Sequence, residues 1–294
     1  MITLLDGPLG TELEARGIAP ARDCWSAEAI EAAPDRITAI HRDYVQNGAS
    51  IHTANTFRTN RRASGLRWRQ RTLAAVALTR QAVPKNHRVA GSIAPVEDCY
   101  RPDLSPGSGS ETEHHEMAET LTKAGCDLLL CETFSHPEET ITATKAAVAC
   151  KLETWVALTA GPQANLMTPR GMAKLATKVV DLGVKAVLVN CTPAADTLRF
   201  VEAILETEIP VVGAYANAGS PHDNLGWRTD CDSGFQAYAE FAQSWINAGA
   251  SIIGGCCGTG PGHLAAISGQ LKTQKDKLGI NNAEAKSGDP PLHS

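Results

Sequence analysis

Met172-Ala173-Lys174-Leu175-Ala176-Thr177-Lys178-Val179-Val180-Asp181-Leu182-Gly183-Val184, running on into Lys185-Ala186-Val187-Leu188-Val189-Asn190-Cys191, decides the fold. The first part is patterned as a helix and ends at Gly183, since glycine just past a helix supplies the left-handed cap. The apolar run Ala186–Asn190 then reads as a strand, and it closes on a polar residue and a cysteine. The same join recurs at Gln46-Asn47-Gly48-Ala49, Lys123-Ala124-Gly125-Cys126 and Asn247-Ala248-Gly249-Ala250. Strands are predicted at Ile2–Leu5, Ser50–Ala54, Arg88–Ile93, Asp127–Cys131, Trp155–Thr159, Ala186–Asn190, Pro210–Ala214 and Ser251–Gly255, with helix-patterned segments between them. Eight β-α repeats in 294 residues fit a single-domain α/β fold, a (β/α)8 TIM barrel, better than an open doubly wound sheet. A Rossmann-like sheet is the alternative. However, no Gly-x-Gly-x-x-Gly follows the first strand, and Gly7-Pro8-Leu9-Gly10-Thr11 has another rhythm.

In such a barrel the active site lies at the C-terminal ends of the strands. Asp6, Asn55, Glu132, Asn190, Cys191, Asn217, Cys256 and Cys257 all fall there. Cys256 and Cys257 are adjacent, and neighbours in a regular strand point to opposite faces. In Gly254-Gly255-Cys256-Cys257-Gly258 the flanking glycines tolerate positive φ, so the backbone can turn both sulfurs toward one centre. Cys191, Cys256 and Cys257 then make a three-thiolate zinc site with a fourth position open, the mark of a catalytic rather than a structural ion. A disulfide between the two adjacent cysteines would be strained.

Asp6 and Glu132, at the ends of the first and fourth strands, are placed to bind the ammonium group of an amino acid. Their structural alternatives are a helix cap and a surface pair. Amides near Gly7 suit a carboxylate. Trp25 precedes a helix capped by Ser26 and is either a packing residue or, facing the mouth, a cation–π holder for a methylated cation. The nine histidines show no His-Glu-x-x-His spacing; His114-His115 is expected on a solvated helix start, and His52 in the core or behind the site. Neither a Gly-x-Ser-x-Gly elbow nor a Walker loop is present. Arg58–Arg71 reads as a solvated helix face or oligomer contact rather than a ligand clamp. Tyr100–Glu113 is a long loop, either a lid or ordinary surface. Lys272–Ser294 loses apolar periodicity and is expected to be a flexible tail outside a barrel of residues 1–271.

At 43% hydrophobic the chain can bury a substantial core. A net charge of −5 with mixed signs leaves no basic footprint for nucleic acid. No apolar run is long enough to span a bilayer, and no signal peptide is legible, so a cytoplasmic location is expected. Nine cysteines there are expected as thiols. Cys24, Cys99, Cys126, Cys131, Cys150 and Cys231 read as small buried hydrophobes.

Several motifs together resemble the homocysteine S-methyltransferase family: Leu5-Asp6-Gly7-Pro8-Leu9-Gly10-Thr11-Glu12-Leu13, Ala54-Asn55-Thr56-Phe57, Leu130-Cys131-Glu132-Thr133, Val189-Asn190-Cys191 and Gly254-Gly255-Cys256-Cys257-Gly258-Thr259. The similarity extends from about Leu4 to Leu271. It implies a (β/α)8 barrel with Zn(2+) on Cys191, Cys256 and Cys257, and with Asp6 and Glu132 holding the amino-acid end of homocysteine. No catalytic residue beyond the metal site is then required. The implied reaction moves a methyl group to the homocysteine thiol, giving methionine. The family's betaine users carry a tyrosine directly after the glutamate where this chain has Thr133, which favours a methylsulfonium donor such as S-methylmethionine. Two alternatives stand beside it: a homocysteine-binding subunit that needs a corrinoid partner, and a noncatalytic zinc-thiolate module closed by Cys131 or Cys231. The expected partners are small molecules, with no nucleic acid or membrane and with homo-oligomers open.

Overall fold

Eight parallel strands follow the chain in the computed structural model, which describes residues 2–21, 24–219, 224–227 and 231–277. They are β1 Thr3–Leu4, β2 Ile51–Thr53, β3 Arg88–Ile93, β4 Leu128–Phe134, β5 Glu153–Leu158, β6 Ala186–Pro193, β7 Val212–Asn217 and β8 Ile252–Ile253. Each is followed by a helix on the outside: α1 Pro34–Gln46, α2 Trp68–Ala82, α3 Glu111–Lys123, α4 Pro137–Ala149, α5 Pro169–Asp181, α6 Ala194–Leu205, α7 Asp232–Ala248 and α8 Pro261–Lys277. The sheet order is β1-β8-β7-β6-β5-β4-β3-β2, and a parallel bridge between Leu5 and Ile51 joins its two edges. This is a single-domain (β/α)8 barrel, as the repeat predicts.

Strand alternation divides the core into two layers. Leu128 and Leu130 of β4 and Ala186 and Leu188 of β6 belong to the cluster inside the barrel. Leu129, Cys131, Val187 and Val189 pack outward among the helices. Gly183, at φ 104°, ends α5 in the left-handed conformation that turns the chain into β6.

Some expectations are corrected. His114 is buried, because Glu139 on α4 faces it across the α3–α4 contact at 3.1 Å, whereas His115 stays exposed beside Glu119. The Tyr100–Glu113 segment is folded against α4 through two 3-10 turns, and Ser105 donates to Glu139. Ser26 does not cap a helix; its hydroxyl donates to Asn55 Oδ1 at 2.6 Å. The expectation of a solvated face holds for most of the arginine-rich stretch, where Arg61, Arg62, Arg67 and Arg69 are exposed, although several of them pair with acids of the same chain. Arg61 pairs with Glu116, Arg62 with Glu113 and Glu97, and a buried Arg71 with Glu31. Helix α8 runs through Lys277, six residues past the expected boundary at Leu271. The remainder of the expected tail, 278–294, lies outside the described residues. Among the described residues no helix is long and apolar enough to cross a membrane.

Candidate active site

Two strands break their alternation where the site begins. In β4 the register shifts between Cys131 and Phe134, with Thr133 at φ 63°. In β6 it shifts between Asn190 and Pro193, with Cys191 at φ 45°. These are bulges in side chains that resist positive φ. Asn190 bridges them, accepting from the Thr133 amide at 3.2 Å and donating to Thr133 Oγ1 at 2.8 Å. Regular alternation would send Cys191 outward after Asn190. The bulge instead brings it into the interior cluster with Cys256 and, at its margin, Cys257.

One sulfur atom from each of Cys191, Cys256 and Cys257 lies within 4.8 Å of the others. Cys191 and Cys256 are joined as a disulfide with Cα atoms 5.6 Å apart, and Cys257 Sγ is 3.8 Å from Cys191 Sγ. The sequence reading had all three as thiols. The fold holds these sulfurs close enough to bond, so the pair and a bound metal are alternative uses of the same atoms. The donor set fits zinc: two thiolates each about 2.3 Å from a tetrahedral ion stand about 3.8 Å apart. Asp6, His41 and His52 also offer atoms within 4.8 Å, but Asp6 to His41 is 3.8 Å, wide for nitrogen and oxygen ligands at about 2.1 Å. Burial pushes the Cys257 thiol up to about 11, so at neutral pH it keeps its proton unless a cation takes that place.

The turn after β8 departs from expectation in one respect. The residue at positive φ is Gly258, whereas Gly254 and Gly255 serve close approach. A Cβ at Gly255 would lie 2.1 Å from Thr259 Oγ1, and that hydroxyl donates to the Cys256 carbonyl at 2.8 Å.

The carboxylates face the same cavity. It encloses about 650 Å³, and its wall includes Asp6, Gly7, Trp25, Glu132, Cys191, Cys256 and Cys257. Asp6 is no helix cap; its Oδ2 accepts from the Thr53 amide at 2.9 Å. Burial drives its carboxyl well above the usual range, against that hydrogen bond and with Glu132 adding to the rise. Glu132 is likewise raised by burial, opposed by hydrogen bonds from Ser92 and from Tyr215, whose hydroxyl lies 2.9 Å away. Two desolvated carboxyls in one pocket are matched to a cation. Trp25, 39% exposed, covers Gly10 so closely that a Cβ there would be 1.9 Å from its indole nitrogen. Tyr100 reaches Cys257.

Ser92, Tyr215, Tyr100 and Arg58 also belong to this site and were not picked out from the sequence. Ser92 lies inside a predicted strand, where only its alternation with apolar neighbours marked it, and Tyr215 lies one residue past the predicted strand end at Ala214, inside the longer observed β7. His52, expected in the core or behind the site, is buried against His87 at 3.0 Å, within the helix–strand layer.

The chain matches a family model described as homocysteine S-methyltransferase over residues 3–271. It is 31% identical to a homocysteine S-methyltransferase of Escherichia coli (strain K12), covering 90% of this chain and 94% of that one. Its fold is similar to crystal structures of the homocysteine methyltransferase MmuM from Escherichia coli. The metallated form gives a TM-score of 0.76 at 26% identity, covering 92% of this chain and 96% of that one. The oxidized form gives 0.75 at the same identity and coverage.

Proposed function

This chain belongs to the homocysteine S-methyltransferase family, and on that premise we propose that it transfers a methyl group from a methylsulfonium donor such as S-methylmethionine to the thiol of homocysteine, forming methionine. The observation that carries this reading is the meeting of three cysteines and two desolvated carboxyls on one cavity wall. Asp6 and Glu132 take the substrate ammonium between them, which relieves the penalty of their burial. The amides beside Gly7 receive its carboxylate. With the amino-acid end fixed there, the thiol is directed toward the cysteines.

Cys191, Cys256 and Cys257, once reduced, would hold a zinc ion, which lowers the pKa of a thiol that joins it. The homocysteine sulfur, as thiolate, attacks the donor's methyl carbon. The new carbon–sulfur bond forms as the sulfonium bond breaks, and its electron pair stays on the departing thioether. No proton moves in that step, so alignment in the cavity accounts for much of the acceleration. Trp25, on the open side, is suited to stabilise the sulfonium through its ring face. The barrel by itself supplies both substrate sites in this reading.

The test uses the reduced, zinc-supplemented protein with homocysteine and S-methylmethionine, following methionine by mass spectrometry. Methionine formed without any added protein supports the reading. If methionine appears only on adding a corrinoid protein, the donor assignment fails.

A further inference from the structure

Arg58 directly follows Phe57 in the loop beyond β2 and lies on the wall of the cavity that contains the three cysteines. It is half-buried, and two neutral groups position it. Its Nη1 donates to the Glu97 carbonyl at 2.9 Å, and its guanidinium carbon lies 5.5 Å from the centre of the Phe57 ring. The cavity's other guanidinium, Arg62, is already engaged by Glu97 and Glu113. Arg58 forms no ion pair with a carboxylate among the described residues. A partly desolvated guanidinium of this kind retains most of its five donors and favours an anion that arrives with a ligand.

Position identifies which ligand. Arg58, Cys99 and Cys257 line the same cavity, so the guanidinium shares its wall with the cysteine cluster. Tyr100, which reaches Cys257, also lines this side, together with Phe57 and Trp25. Asp6 and Glu132, with Gly7, account for both charged groups of homocysteine. Arg58 is therefore left for the second substrate.

We propose that Arg58 clamps a carboxylate on the methyl donor, making the donor a zwitterionic sulfonium acid and Arg58 the residue that selects it. The proposal rests on the methyl-transfer reading above. A planar guanidinium pairs with a carboxylate through two parallel hydrogen bonds, and an ammonium at the same place does not. This reverses the expectation that Arg58–Arg71 holds no ligand clamp.

The experiment compares S-methylmethionine with its carboxylate-free counterpart, (3-aminopropyl)dimethylsulfonium, in the wild type, Arg58→Leu and Arg58→Lys. Wild type should favour S-methylmethionine in kcat/KM by roughly 10- to 100-fold, the range for hydrogen bonds to a charged group. Arg58→Leu should raise KM for S-methylmethionine by a similar factor and abolish the preference, while Arg58→Lys recovers part of it. A wild type that does not discriminate overturns the proposal, whether or not Arg58→Leu folds. So does an Arg58→Leu protein in which KM rises for homocysteine instead. Should the wild type turn over neither sulfonium, the methyl-transfer reading falls separately, and calorimetric titration with S-methylmethionine then examines Arg58. Equal affinity in wild type and Arg58→Leu would refute the carboxylate contact.

Discussion

Glu132 and Asn190 show how single side chains set this site. Glu132 is buried with its two oxygens held by Ser92 and Tyr215, so its carboxylate is fixed in orientation on the cavity wall. Glu132→Ala should raise KM for homocysteine roughly 10- to 100-fold, the scale of a charge-assisted contact. Zinc content should be unchanged, and metal loss without altered substrate affinity would remove Glu132 from substrate binding. Asn190 acts at one remove by tying the bulge that follows Glu132 to the one that turns Cys191 inward. Asn190→Ala strands a buried amide and a hydroxyl, at a cost of about 1–3 kcal/mol. Denaturant unfolding should register that loss together with a fall in kcat. Loss of stability with kinetics intact would mean that the bulges hold their shape without Asn190.

The elements were legible in unequal measure. Strands announced themselves because apolar runs follow glycine caps, and the polar residues at their ends follow from the barrel's polarity. The bulges at Thr133 and Cys191 did not, since neither residue type favours positive φ and only the Asn190 bridge explains it. His114 was misjudged for a related reason. A polar pair at a helix start looks solvated until Glu139, twenty-five residues on, folds over it. Burial alone would raise the Glu139 carboxyl, but hydrogen bonds from His114, Ser105 and the Val96 amide hold it below its ordinary value of about 4.5. A depressed folded pKa contributes stability above the unfolded value that is lost as pH falls through the folded one. Glu139→Gln should therefore lower stability near neutrality and flatten its decline below about pH 4.5, which urea titrations across pH would reveal. Parallel curves for wild type and variant would show that this contact between α3 and α4 adds nothing.

At the scale of the molecule, the Cys191–Cys256 bond and the proposed zinc site draw on shared sulfurs. The reduced protein should bind one zinc per chain, and a ligand that binds only the folded state stabilises it by mass action. With free zinc at about 100 times Kd the gain is about 2.7 kcal/mol, on the order of 4–5 °C in Tm for a chain of this length. Calorimetry should find that shift in reduced protein and none once the Cys191–Cys256 bond has formed; equal shifts in both would place the metal elsewhere.

The barrel is joined unevenly around its circumference. Strands β3 to β6 are laced by long ladders, but the edges at β1 and β2 meet through the Leu5–Ile51 bridge, two flanking amides, Ser50 to Leu4 and Asp6 to Ile51, each 3.0 Å, and the Thr53 amide on Asp6 Oδ2 at 2.9 Å. Asp6 stands on that joint, across the mouth from the bulged strands. Warmed slowly, such a hoop should part first at its clasp, and the placement of the Asp6 carboxylate should go with it. Turnover should then fade some degrees before far-ultraviolet ellipticity does, with the Leu5 and Asp6 amides trading deuterium ahead of those in β4.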